Sequence, residues 1–149
     1  MIVRKALPEE AQQIISFQIA MALETENIYL DPETVMRGVK AVFTDTEKGN
    51  YFIAEENGQV IASLLTTFEW SDWRNGTILW IQSVYVVPEF RRKGTYKALY
   101  GHIRTMVEHD PGLKGIRLYA DKNNLTAQKV YEKLGMTADH YQLYEWLKI

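Results

Sequence analysis

The sequence predicts an α/β chain of the α+β kind, a mixed central sheet with helices on both faces, and three observations carry that expectation. Segments with apolar residues at three- and four-residue steps alternate with short β-branched and aromatic runs. Two Asn-Gly pairs, Asn57-Gly58 and Asn75-Gly76, punctuate the middle of the chain as turns between strands. Residues 77–87 are apolar on both faces, as in the centre of a covered sheet.

Taken in order, Ile2 to Lys5 reads as a short strand. Pro8-Glu9-Glu10 opens a helix with acids where the dipole favours them, and Ala11, Ile14, Ile15, Ile19 and Ala22 form its apolar stripe. Asp31-Pro32-Glu33 starts a second helix, with Asp as N-cap and Pro in the first turn, and Val35, Val39, Val42 and Phe43 as its buried face. Strands follow over 51–56, 60–70 and 77–87. A helix bearing Ala98, Leu99, Ile103, Met106 and Val107 comes next, then a strand over 115–120. Asn124 to Leu134 forms a helix capped by Gly135, and residues 140–147 alternate loosely as a closing strand. The order β-α-α-β-β-β-α-β-α-β packs naturally as helices on both sides of one sheet.

The 149 residues suit one domain, 1–149, with room for a sizeable core. A formal net charge of −2 implies no general polyanion-binding surface, so nucleic acid is not an expected partner. The absence of cysteine excludes disulfides, a thiol nucleophile and thiolate metal sites. The histidines, His102, His109 and His140, lack metal-ligand spacing, so no metal is expected. No apolar run approaches the roughly 18 residues of a membrane helix, and the N-terminal residues lack a signal-peptide core, so a cytoplasmic protein is the expectation.

Against that mildly acidic background one basic cluster stands out. The strand ending Val84-Tyr85-Val86-Val87 stops at Pro88, and Glu89-Phe90-Arg91-Arg92-Lys93-Gly94 leads directly into the helix that begins near Thr95-Tyr96. A strand, a tight basic turn and a helix N-terminus together gather free backbone N–H groups at the positive end of a helix dipole, which suits an anionic phosphate. The order lacks the Gly-Lys-Ser/Thr of a Walker loop and the three spaced glycines of a dinucleotide fingerprint. Read without its neighbours, the cluster is an ordinary solvated turn.

A second motif is Asn124-Leu125-Thr126-Ala127-Gln128-Lys129-Val130-Tyr131-Glu132-Lys133-Leu134-Gly135-Met136. Asn124, Ala127 and Tyr131 lie at i, i+3 and i+7 and share one helix face. A lone tyrosine at such a place is usually an amphipathic core residue.

The two motifs and the element order resemble the GCN5-related N-acetyltransferases, the GNAT family, over essentially the whole chain. The basic turn matches that family's Arg/Gln-x-x-Gly-x-Gly/Ala loop at Arg91 and Gly94 and departs from it at Tyr96, where a small residue is usual. The resemblance implies acetyl-CoA as co-substrate, its pyrophosphate held by amides from Arg92 to Tyr96 (Arg92, Lys93, Gly94, Thr95, Tyr96). The pantetheine arm would lie along Val84, Tyr85 and Val86 like an added strand, beside a bulge that aims an amide near Val84 or Tyr85 at the thioester carbonyl. Asn124 and Ala127 would line the arm, and Tyr131 would present its phenol to the departing sulfur as general acid.

The implied reaction is direct transfer of an acetyl group to a primary amine of a small molecule or a protein, without a covalent enzyme intermediate. A lysine-like amine, with a pKa near ~10.4, must lose a proton first. Relatives place a glutamate on the long strand where this chain has Gln82, so Gln82 is expected to orient water or substrate. The base candidates are Glu24 and Glu26 at the end of the first helix, and Glu69. Glu69, Trp70, Asp72, Trp73 and Trp80 form an aromatic and acidic cluster that could wall a cationic amine or serve as hairpin packing. Tyr29, Trp73, Trp80 and Tyr141 could support a homodimer. The competing reading is an acyl-CoA-binding regulatory module with impaired catalysis, kept alive by Gln82 and Tyr96.

Overall fold

A computed structural model describes residues 1–148. Among the described residues there are five strands: β1 (Ile2–Lys5), β2 (Asn50–Glu56), β3 (Gln59–Ser71), β4 (Gly76–Val86) and β5 (Leu113–Arg117). The helices are α1 (Ala11–Glu26), α2 (Pro32–Thr44), α3 (Thr95–His109) and α4 (Leu125–Lys133), with short 3-10 turns at Pro8–Glu10 and Pro88–Phe90. The strands lie in the order β1-β2-β3-β4-β5, antiparallel except for the parallel β4–β5 pair. The mixed sheet expected from the sequence is therefore present. The chain divides into two compact units, Met1–Arg117, which holds the whole sheet, and the residues from Leu118 onward.

Register assigns the two faces of the sheet. Ile53 pairs with Ser63 and Ser63 with Tyr85, while Phe52 pairs with Leu64, so alternate residues point to opposite sides. On one side Tyr51 and Ile53 join Ala11, Ile14 and Ile15 of α1 and Val39 of α2 in a core, and Phe43 stacks on Tyr51 at 5.6 Å. On the other side Phe52 meets His102 of α3 at 5.6 Å, and α3 buries Thr95, Leu99, Tyr100 and Ile103. Fully burying an Ile or Leu contributes about 1.5–3 kcal/mol, and Ile14, Ile53, Ile61, Leu64, Leu99 and Ile103 are all fully buried.

Local signals place the elements. The Asp31 carboxylate accepts the Thr34 N–H at 3.2 Å and caps α2, whose first residue is Pro32. Asn57 and Gly58 both have positive φ, at 50° and 77°, as the tight β2–β3 turn requires. The β3–β4 connection is longer than its Asn-Gly pair suggests. It runs from Asp72 to Asn75, with Asn75 at φ 48° and Gly76 already in β4. A Cβ on Gly76 would come within 2.9 Å of the Gly112 carbonyl, so close strand approach demands the glycine there.

Two expectations are corrected. The strand expected over 115–120 is β5, which begins earlier and ends at Arg117, because its pairing with β4 stops at Trp80↔Arg117. The closing strand expected over 140–147 is absent. Alternation predicts one buried face, yet side chains of both parities are exposed there, Tyr141 at 76%, Tyr144 at 87% and Trp146 at 87%.

Candidate active site

The end of β4 departs from a regular strand where the site residues begin. Ser63 faces Tyr85 and Leu65 faces Gln82, so two steps on β3 are matched by three on β4. The extra residue lies at Ser83–Val84, and Ser83 has φ 55°, a left-handed conformation that a non-glycine residue adopts at a cost of about 1–3 kcal/mol. The polar pair Gln82-Ser83 inside an apolar strand was the available signal for this bulge. Beyond Trp80, β5 no longer accompanies β4, and residues 81–86 have no neighbouring strand on that side among the described residues. The Val87 N–H donates to Ile61 O at 2.9 Å, so the carbonyl of Val86 points the opposite way, toward the open edge.

The basic turn follows directly. The Phe90 N–H donates to Val87 O at 2.9 Å and the Arg91 N–H to Pro88 O at 3.2 Å. Arg92 has φ 62° and Gly94 φ 81°. Gly94 is the N-cap of α3 and offers no side-chain acceptor to the first turn, while Ala98 N–H is satisfied by Gly94 O at 3.0 Å. The Thr95 hydroxyl turns back and donates to Phe90 O at 3.1 Å. The first-turn N–H donors of α3 are thus not occupied by a capping side chain, and this donor set fits a pyrophosphate. Tyr96 stacks along the helix on Tyr100, with ring centroids 6.4 Å apart and planes 27° from parallel.

Four of the candidate residues, Glu24, Tyr85, Val86 and Arg91, meet in one cluster. Arg91 Nη2 lies 2.7 Å from Glu24 Oε2, and Arg91 Nε donates to the Val86 carbonyl at 2.8 Å. The Tyr85 hydroxyl donates to Glu24 Oε1 at 3.2 Å, and the Arg91 guanidinium covers the Tyr85 ring at 5.3 Å. Tyr85 packs in turn on Phe17 of α1 at 5.0 Å. Burial, and then the Glu24 charge, pushes the Tyr85 phenol above its usual range, so it stays a donor at neutral pH.

Gln82 donates its amide to the Thr67 hydroxyl at 2.8 Å across the β3–β4 pair. Glu26 ends α1 exposed. Glu69 accepts from the Trp80 indole and from Arg117, which together hold its carboxyl below the usual range. In the second unit, Asn124 accepts the Ala127 N–H at 3.1 Å and caps α4, while Ala127 and Tyr131 are half-buried. Gly135, at φ 89°, closes the helix as its spacing implied, with Met136 N–H donating to Tyr131 O at 3.1 Å. Missed in the sequence were the roles of Thr67 and Ser83 and the turn-closing bond of the Thr95 hydroxyl, whose partners lie across a strand pair or a turn.

The fold is that of an acetyltransferase. The chain matches the acetyltransferase (GNAT) family over residues 17–136 and belongs to that family. A possible acetyltransferase from Clostridium difficile 630 is 40% identical, with TM-score 0.93 over 99% of this chain and 97% of that one. Two more distant structures share the fold. The ribosomal-protein-alanine N-acetyltransferase from Brucella melitensis biovar Abortus 2308 is 14% identical, with TM-score 0.79 over 99% of both chains. The predicted acetyltransferase with acetyl-CoA from Clostridium acetobutylicum is 22% identical, with TM-score 0.73 over 99% of this chain and 94% of that one. No curated protein matches the chain. Among the described residues no helix is long and apolar enough to cross a membrane.

Proposed function

We propose that this GNAT member is a cytoplasmic N-acetyltransferase that moves the acetyl group of acetyl-CoA directly to a primary amine of a small molecule or a protein. The observation that carries the reading is the continuity of the bulged, open-edged end of β4 with the uncapped N-terminus of α3. One surface path thus offers strand-edge hydrogen bonds, then backbone donors for phosphate. Acetyl-CoA supplies an activated thioester acyl group, and the chain's own residues do the rest.

Amides of Arg92 to Tyr96 bind the pyrophosphate, and Val84, Tyr85 and Val86 present strand-edge groups to the pantetheine arm. The amide at the bulge stabilises negative charge developing on the carbonyl oxygen. The family resemblance assigns the pantetheine arm to Asn124 and Ala127, and the proton for the departing sulfur to the Tyr131 phenol. Gln82, tethered to Thr67, orients the amine. The proton of that amine falls to Glu26, since both oxygens of Glu24 are already engaged. Direct attack needs no covalent enzyme intermediate, in keeping with a chain that has no cysteine. A homodimer is compatible with this scheme, and no step requires nucleic acid, metal or membrane.

Amine-dependent release of free thiol from acetyl-CoA tests the reading. Tyr131→Phe is expected to lower kcat by about 10²-fold with acetyl-CoA affinity retained. The engagement of Gln82 and Glu24 favours a second reading, an acyl-CoA-binding module with impaired catalysis. Tight acetyl-CoA binding with no thiol release across a broad amine panel would select it.

A further inference from the structure

Arg91 and Glu24 are 67 residues apart and hold together three elements: the end of α1, the end of β4 and the start of the basic turn. We infer that Glu24 is a positioning residue rather than a base: through Arg91 it clamps the loop 91–94 in the shape that receives the acetyl-CoA pyrophosphate. This rests on the proposed acetyl-CoA-dependent function and assigns a part of its binding site.

The geometry supports a clamp. Arg91 uses one nitrogen on Glu24 and another on the Val86 carbonyl, while its plane covers Tyr85. Tyr85 returns a hydrogen bond to the second Glu24 oxygen, so carboxylate, guanidinium and phenol close a ring. The ion pair alone does little for stability, because its side chains are 43% and 40% exposed and solvent screens them. Its value is in geometry. The next residue, Arg92, is held at φ 62°, a conformation that persists only when its surroundings over-determine it. On one side the loop is fixed by Thr95 on Phe90, and on the other by Arg91 on Val86 and Glu24. Releasing Glu24 frees the Arg91 side chain and lets the loop sample shapes whose amides no longer converge. Pre-organisation is lost, so affinity for the anion falls while the chemical step keeps its groups.

The test compares Glu24→Gln and Arg91→Lys with the wild-type and with Glu108→Gln, which removes a carboxylate from an exposed helical pair. Two readouts are used. The first is limited trypsin digestion after Arg92 and Lys93, which needs no ligand. The second is acetyl-CoA affinity and steady-state kinetics. Glu24→Gln should be cleaved about tenfold faster in the loop. Its acetyl-CoA Kd and KM should rise about fivefold to tenfold, with kcat within about twofold and the acid limb of the kcat profile retained. Glu24→Gln combined with Arg91→Lys should bind acetyl-CoA no more weakly than the weaker-binding of the two single variants. Unchanged cleavage with unchanged Kd overturns the clamp. A large kcat loss, with the acid limb abolished and Kd unchanged, makes Glu24 the base and also overturns it. Wild-type protein that ignores acetyl-CoA while its loop cleavage still depends on Glu24 removes the functional reading and, with it, the role assigned to the clamp.

Discussion

Trp80 donates its indole Nε1–H to Glu69 Oε1 at 2.7 Å across the β3–β4 pair. Arg117 of β5 takes the other carboxylate oxygen at 2.6 Å, so three strands are tied at one acid. The indole bond first, and then the Arg117 bond, keep the Glu69 carboxyl below the usual glutamate range. Because the folded-state value is depressed, the contribution of Glu69 is in place above the ordinary carboxylate range and is lost as pH falls through the lowered value. The Trp80 indole resonance in NMR should therefore titrate below the pH of an unperturbed glutamate. A midpoint at or above that pH would contradict this. Glu69→Gln is expected to leave the acid limb of the kcat profile in place, since a carboxylate held by two donors is a poor base at neutral pH.

A second acid anchors the start of the chain. Glu10 accepts from Arg4 and from the Leu7 N–H at 2.8 Å, and Arg4 also reaches Glu55 of β2 at 2.8 Å. The Arg4 bond is the main cause of the depressed Glu10 pKa, which burial opposes. Glu10→Gln should cost about 1–2 kcal/mol in urea unfolding at pH 7. The difference should shrink as pH falls below the ordinary carboxylate range, because the wild-type then loses the same charge. A difference independent of pH would show that the pair contributes nothing through ionisation.

Two glycines should respond with opposite signs. A Cβ on Gly49, at φ 151°, would lie 2.3 Å from the Thr66 carbonyl, so Gly49→Ala should destabilise by about 2 kcal/mol or more. Gly38 sits exposed within α2 with open space where a Cβ would go, and Gly38→Ala should stabilise by about 0.5–1 kcal/mol. Thermal unfolding of the pair checks both. Equal shifts would mean that backbone strain at Gly49 has been misjudged.

Much of this was legible because it is local. Asp31 caps the helix that begins at Pro32, Asn57-Gly58 makes the turn that both positive φ values require, and Arg91 to Gly94 bridges β4 and α3 as its composition implied. What was not legible depends on distant partners. The residue count of the bulge at Ser83 emerges only from its pairing with β3, and β5 ends where its pairing with β4 stops, at Arg117. Nothing in the spacing of Glu24 and Arg91 announces their ion pair. The alternation in 140–147 describes a capacity to form a strand, which only an adjacent strand edge can realise.

Gly94 joins the fold to the proposed function most closely. Its φ of 81° lies where alanine is strained, although no neighbour would touch the added methyl. Gly94→Ala should therefore cost about 1–2 kcal/mol of loop conformation and weaken acetyl-CoA binding about tenfold, with a far smaller change in overall melting. Affinity equal to wild-type would show that the loop amides are not what holds the anion.

Calorimetric titration of the purified protein with acetyl-CoA, against ATP and NAD under the same conditions, tests the central claim most directly. The account predicts saturable micromolar binding of acetyl-CoA and markedly weaker binding of the two other pyrophosphates, because only the pantetheine arm can use the open edge of β4. Absence of acetyl-CoA binding, or equal binding of all three, would contradict it.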